Sequence, residues 1–178
     1  MMNKRQLLTR IVQGFGITGA AFLAWPFLRF WLPALEEDAS QEVDIGGLRP
    51  GETRVVRWRG RNVFIRRRTR EAIAALETPL IPLKDPASEQ STQPAFAQNP
   101  YRSLRPDIFI AYTNCTHLGC ELATNDDRTI GFQCPCHQSE FDQAGRVTDT
   151  AAAPVNLEVP FYRFISGNVV RLDVREPG

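Results

Sequence analysis

The chain has 178 residues and a formal net charge of +1, with 23% charged and 43% hydrophobic residues. That is enough chain for one domain with a real core plus an additional segment. The near-neutral balance excludes a global electrostatic pull toward nucleic acid, so any charged partner must be met by a local patch.

The first element is an apolar run, Ile11 to Leu35, broken only by Arg29 and preceded by Lys4, Arg5 and Arg10. A helix over residues 11 to 32 would be roughly 33 Å long, against about 30 Å of bilayer hydrocarbon. The run is too long for the apolar core of a cleaved secretory signal, about 7 to 15 residues. It predicts an uncleaved single-pass anchor over residues 1–35, kinked at Pro26. Basic residues precede it, and Glu36, Glu37 and Asp38 follow. The positive-inside rule then places the N-terminus in the cytoplasm and the remainder on the far side of a lipid bilayer. Asn3-Lys4-Arg5-Gln6-Leu7-Leu8 is similar to a twin-arginine export signal with lysine in the first arginine position.

Residues 36–45 read as a linker, and 46–178 as a separate domain. Thr53–Trp58 and Asn62–Arg66, separated by Arg59-Gly60-Arg61, predict a hairpin. Glu71–Glu77 predicts a short helix stopped by Thr78-Pro79. Residues 80–100 carry four prolines among polar residues and predict a long ordered loop. Further strands are predicted over Asp107–Thr113, Thr129–Gln133, Leu157–Phe164 and Asn168–Val174. The domain is therefore all-β, a sandwich or small barrel of short strands. Eight arginines lie between Arg54 and Arg70. Their partial alternation with Val56, Trp58, Val63 and Ile65 marks strands with one solvated face, and nucleic acid is rejected as a partner.

All four cysteines and both histidines fall between Cys115 and His137. They form two boxes, Cys115-Thr116-His117-Leu118-Gly119-Cys120 and Cys134-Pro135-Cys136-His137-Gln138-Ser139. Structural zinc sites space their ligands as C-x₂₋₄-C and H-x₃₋₅-H, which these boxes do not follow. A cluster-free domain with two disulfides would leave both histidines unexplained.

The paired boxes resemble those of the Rieske proteins of quinol–cytochrome c reductases. The resemblance extends to Val56-Arg57-Trp58-Arg59-Gly60, Val63-Phe64-Ile65 and Arg68-Thr69, and to Asn156-Leu157-Glu158-Val159-Pro160 and Tyr162-Arg163-Phe164. It implies an all-β Rieske head, an antiparallel sandwich with an inserted cluster-binding subdomain at about 112–154, behind one transmembrane helix. One 2Fe-2S cluster would be held by Cys115 and Cys134 on one iron and His117 and His137 on the other. Cys120 and Cys136 would form a disulfide, worth roughly 3 kcal/mol across its fifteen-residue loop. A disulfide needs an oxidising compartment, in agreement with the topology read from the N-terminus.

The resemblance also assigns the cluster's surroundings. Ser139 would tune the cluster through a hydrogen bond to sulfur, and Leu118 and Pro154 would cover it. Phe141 stands where the high-potential members carry a tyrosine donor, which lowers the expected potential. Gln138 replaces a glycine. Thr150-Ala151-Ala152-Ala153-Pro154 replaces a Gly-x-Pro-Ala-Pro lid. Exchanging two thiolates for neutral imidazoles raises the cluster potential from about −400 mV toward about −150 to +300 mV. The implied role is electron transfer from ubiquinol, held by a cytochrome b subunit, to a c-type cytochrome subunit. His137 would contact the quinol and accept its proton, as part of ubiquinol–cytochrome c reductase in a bacterial inner membrane with the head periplasmic. The chain alone would complete no turnover. A divergent paralogue of the same complex is one alternative. Another is the Rieske subunit of an exported oxidase such as arsenite oxidase, disfavoured because its first box resembles C-P-H. Ring-dioxygenase Rieske components lack both the extra cysteines and an anchor.

Overall fold

The computed structural model describes residues 3–31 and 40–173. The chain divides into two compact units, Met1–Asp38 and Ala39–Gly178.

Within the first unit, helix α1 spans Lys4–Trp31 and runs on through Pro26. It starts seven residues before the expected Ile11, because Lys4, Arg5, Gln6 and Leu7 are good helix formers whatever their polarity. At 1.5 Å per residue its 28 residues extend about 42 Å. Phe15, Ile17, Phe22, Leu23 and Phe27 are all exposed around it. Thr9 and Thr18 turn their hydroxyls back onto the carbonyls of Arg5 and Gly14, each at 2.9 Å. Such bonds satisfy the hydroxyls inside the helix itself. This is the one helix among the described residues long and apolar enough to cross a membrane.

The second unit contains three antiparallel three-stranded sheets. The first joins β1 (Gln41–Asp44), β9 (Val169–Asp173) and β8 (Phe161–Ser166) in the order β1-β9-β8. The second orders β2 (Thr53–Trp58), β3 (Arg61–Arg67) and β4 (Ile108–Tyr112) in sequence. A third, smaller sheet of β5 (Ala123–Thr124), β6 (Ile130–Gln133) and β7 (Glu140–Asp142) lies between β4 and β8 in the chain. Every residue of β4 is buried, as expected for a strand covered on both faces. Phe132 of the small sheet meets Phe64 and Phe109 at 5.0 and 5.7 Å between ring centroids, so one core joins the last two sheets.

Two expectations are corrected. Gln41–Asp44 is a strand in register with β9, Val43 opposite Val170, although it falls within the segment 36–45 read as linker. With Val43 and Ile45 buried and Glu42 and Asp44 exposed, the alternation is too short to stand out in the sequence. Residues 36–39 lie outside the described residues. The second correction concerns the arginine-rich segment. Arg66 and Arg68 are each only 2% exposed, not on a solvated face. Arg68 donates to the carbonyls of Gln143, Tyr101 and Pro106, and Arg66 to that of Asn125. Each guanidinium supplies loop carbonyls with the donors that a strand ladder would otherwise give.

Helix α2 (Arg70–Glu77) begins where Thr69 caps it, its hydroxyl oxygen accepting the Ala72 N–H at 3.2 Å. The proline-rich segment is ordered around Asp85, whose carboxylate accepts the Glu89 and Gln90 N–H groups and the Ser91 hydroxyl. Leu157 is fully buried but non-strand, and β8 starts only after Pro160. Gly145 turns with φ +67°; a Cβ there would come within 2.8 Å of Phe109 and 3.1 Å of Leu157.

Candidate metal centre

Both boxes are loops at one end of the small sheet. The first follows β4 and leads to β5; the second joins β6 to β7 at the pair Gln133 and Glu140. Each loop closes on its own backbone. The Cys115 N–H donates to the Cys120 carbonyl at 2.8 Å and the Gly119 N–H to the Cys115 carbonyl at 2.9 Å. The Cys134 N–H donates to the Ser139 carbonyl at 2.8 Å and the Gln138 N–H to the Cys134 carbonyl at 3.0 Å. Two similar turns thereby present a thiol and an imidazole each.

A disulfide between Cys120 and Cys136 ties the loops, with the Cα atoms 6.6 Å apart. Cys115 and Cys134 are free and buried. The rings of His117 and His137 meet edge to face, with centroids 4.7 Å apart. Cys134 Sγ lies within 4.8 Å of both disulfide sulfurs. Those two are bonded to one another and are not thiolates, so they are not available to a metal.

The free thiols interact. Burial raises the Cys115 thiol above its ordinary value, and hydrogen bonding to Cys134 raises it further against the opposing N–H of His117. For Cys134, burial also pushes upward, but the N–H groups of His137 and Cys136 outweigh it and the thiol ends below its ordinary value. The backbone is thus arranged to stabilise charge on sulfur.

His117 Nδ1 is buried and has no hydrogen-bond partner. A buried, unpaired ring nitrogen costs free energy unless a ligand meets it. Together with two buried thiols and a second imidazole, it makes a donor set that fits a Rieske-type [2Fe-2S] group. His137 and Leu118 are exposed, the latter by 71%, and so is Pro154.

The remaining expected residues lie close by. Ser139 is fully buried, and its Oγ accepts the Ala153 N–H at 3.0 Å. Phe141 is a fully buried core residue on β7. Gln138 takes φ +55°, the left-handed conformation that glycine adopts freely. Its side-chain amide donates to the Pro135 carbonyl at 3.4 Å and accepts from Gln133 at 3.3 Å. Two residues escaped the sequence reading. Thr116 donates from Oγ to the Val155 carbonyl at 2.6 Å. Lys84 donates from Nζ to the carbonyls of Ala151 and Ala153. Thr116 stands inside the first box, but its partner 39 residues away does not show there, and Lys84 lies outside both boxes.

The Rieske [2Fe-2S] domain family matches residues 95–163. The chain is 36% identical to the ubiquinol–cytochrome c reductase iron–sulfur subunit of Allochromatium vinosum, over 94% of this chain and 86% of that one. With the same subunit of Rickettsia conorii it shares 34% identity over 96% and 93% of the two chains. The mitochondrial cytochrome b-c1 complex subunit Rieske-1 of Nicotiana tabacum is 41% identical over 73% of this chain, which spans about half (46%) of that longer protein. A solved structure of a hyperthermophilic respiratory Complex III shares the fold, with a TM-score of 0.52 at 21% identity, over 91% of this chain and 98% of that one. With a donor set that fits the cluster and relatives aligned over nearly its whole length, the chain belongs to the Rieske [2Fe-2S] proteins, among the ubiquinol–cytochrome c reductase iron–sulfur subunits.

Proposed function

We propose that this chain is the electron-carrying subunit of a quinol–cytochrome c reductase, with Cys115 and Cys134 holding one iron and His117 and His137 the other. The observation that carries this reading is the unpartnered, buried Nδ1 of His117 beside His137 and the two free thiols. When bound, the cluster supplies a one-electron couple at raised potential between a quinol held by cytochrome b and a c-type cytochrome.

The chain's own residues do the rest. His137 reaches solvent, so its ring nitrogen meets the quinol hydroxyl and takes its proton. Exposed Leu118 and Pro154 form the apolar rim that seats against the partner and excludes water from that contact. The N–H groups of His137 and Cys136 stabilise negative charge on the Cys134 sulfur, and Ser139, whose oxygen accepts the Ala153 N–H, would donate its hydroxyl hydrogen to a sulfur of the cluster.

Helix α1 anchors the subunit in the bacterial cell membrane, with the N-terminus cytoplasmic and the head periplasmic. The basic residues at its N-terminal end, Lys4, Arg5 and Arg10, support that orientation, and so does the disulfide, which persists in an oxidising compartment.

Membranes from cells lacking the chain test the assignment. Quinol-dependent reduction of cytochrome c is expected to disappear and to return with the intact chain, but not with His137→Ala. Undiminished activity without the chain would contradict it.

A further inference from the structure

The segment from Ala151 to Val155 is bonded to both loops of the centre. Its Ala153 N–H donates to Ser139 of the second box at 3.0 Å, and its Val155 carbonyl accepts from Thr116 of the first at 2.6 Å. It works as a strap across the two loops. Three consecutive alanines make its first part, so no side chain there fixes its path.

Two carbonyls of the strap converge on one ammonium. Lys84 Nζ donates to the Ala151 carbonyl at 2.5 Å and to the Ala153 carbonyl at 3.0 Å. The backbone that presents this lysine is held independently of its side chain. The Lys84 N–H donates to the Val147 carbonyl and the Asp149 N–H to the Pro82 carbonyl, both at 3.1 Å, around a bridge between Leu83 and Thr148. Asp85 then fixes the next turn. Charge-assisted bonds to two carbonyls of one short segment hold its path more firmly than a single neutral bond. They also place a positive charge on the strap, and a positive charge near the centre favours its more negative, reduced state.

We propose that Lys84 is a positioning residue that clamps the strap over the iron–sulfur centre, keeping the Ala153–Ser139 bond formed and setting the midpoint potential. This rests on the ligand assignment above.

Lys84→Met keeps the aliphatic stem and removes the charge and donors; Lys84→Arg keeps both. The full chain is compared in all three forms. For Lys84→Met the reduction equilibrium is expected to fall about threefold, ~28 mV for a one-electron couple. Loss of the cluster's visible absorption on warming should quicken about fivefold, and hydrogen exchange at the Ala153 amide about tenfold. Lys84→Arg should recover most of each change. Wild-type midpoint and exchange in Lys84→Met would overturn the clamp, as would a midpoint shift without faster exchange at Ala153. If the unmodified chain showed no histidine-ligated cluster, the ligand assignment would fail instead. Exchange at Ala153 needs no cluster and would still decide whether Lys84 holds the strap.

Discussion

The fully buried Ser139 hydroxyl accepts the Ala153 N–H at 3.0 Å and so links the second cysteine–histidine box to the strap. That bond uses the oxygen as acceptor, so the hydroxyl hydrogen would be left to donate to a sulfur of the proposed cluster. Ser139→Ala removes both functions. A hydrogen bond favouring the reduced state by about 1 kcal/mol corresponds to about 40 mV in a one-electron couple. The midpoint of Ser139→Ala is therefore expected to drop by about that amount. A spectroelectrochemical titration would show it.

Phe141 occupies a fully buried position on β7, directly after the second box, and offers no donor. Phe141→Tyr adds a hydroxyl with the same ring, and its effect should mirror that of Ser139→Ala. The midpoint should rise by about 40 mV, with a stability change below about 1.5 kcal/mol if the hydroxyl finds sulfur as its acceptor. An unchanged midpoint with a larger loss of stability would show that the ring only packs.

Gln138 pays for its φ of +55° with conformational strain that glycine would avoid. The left-handed region costs a non-glycine residue about 1–2 kcal/mol, partly offset by the greater freedom of glycine in the unfolded chain. Gln138→Gly is expected to stabilise the oxidised, disulfide-bonded head by about 1 kcal/mol. Thermal unfolding followed by circular dichroism should show a higher Tm, and a lower one would mean that the side-chain bonds to Pro135 and Gln133 outweigh the strain.

Asp85 carries a pH signature. Burial opposes its charge, but the Ser91 hydroxyl and the Glu89 and Gln90 N–H groups win and hold its carboxyl below the ordinary range. A depressed folded-state value means the stabilisation is present above the unfolded value of about 3.9 and is lost as pH falls through the folded one. Asp85→Asn should therefore flatten the acid limb of the stability curve below about pH 4. At neutral pH it should cost about 1–3 kcal/mol for the disrupted bonds. An acid limb as steep as in the unmodified chain would mean that other carboxylates dominate it.

Much of this was legible before any coordinates. The two boxes, the hairpin of β2 and β3 and the apolar anchor each have a strong local signal: ligand spacing, β-branched runs around Arg59-Gly60-Arg61, and helix-length hydropathy. What stayed hidden depends on long-range partners. Strand β1 exists because β9 lies beside it, 125 or more residues further along the chain. The burial of Arg66 and Arg68 depends on carbonyls of loops 33 to 75 residues away. Lys84 looks like any surface lysine until the chain folds and two carbonyls from residues 151 and 153 meet it.

The most direct test is low-temperature pulsed EPR of the reduced chain in native membranes, reading nitrogen couplings at the cluster. Couplings from two distinct imidazoles, lost together with the cluster when Cys115 or Cys134 is replaced by serine, are the expected result. A signal without imidazole nitrogen, or zinc in place of iron in the assembled protein, would contradict ligation by Cys115, His117, Cys134 and His137.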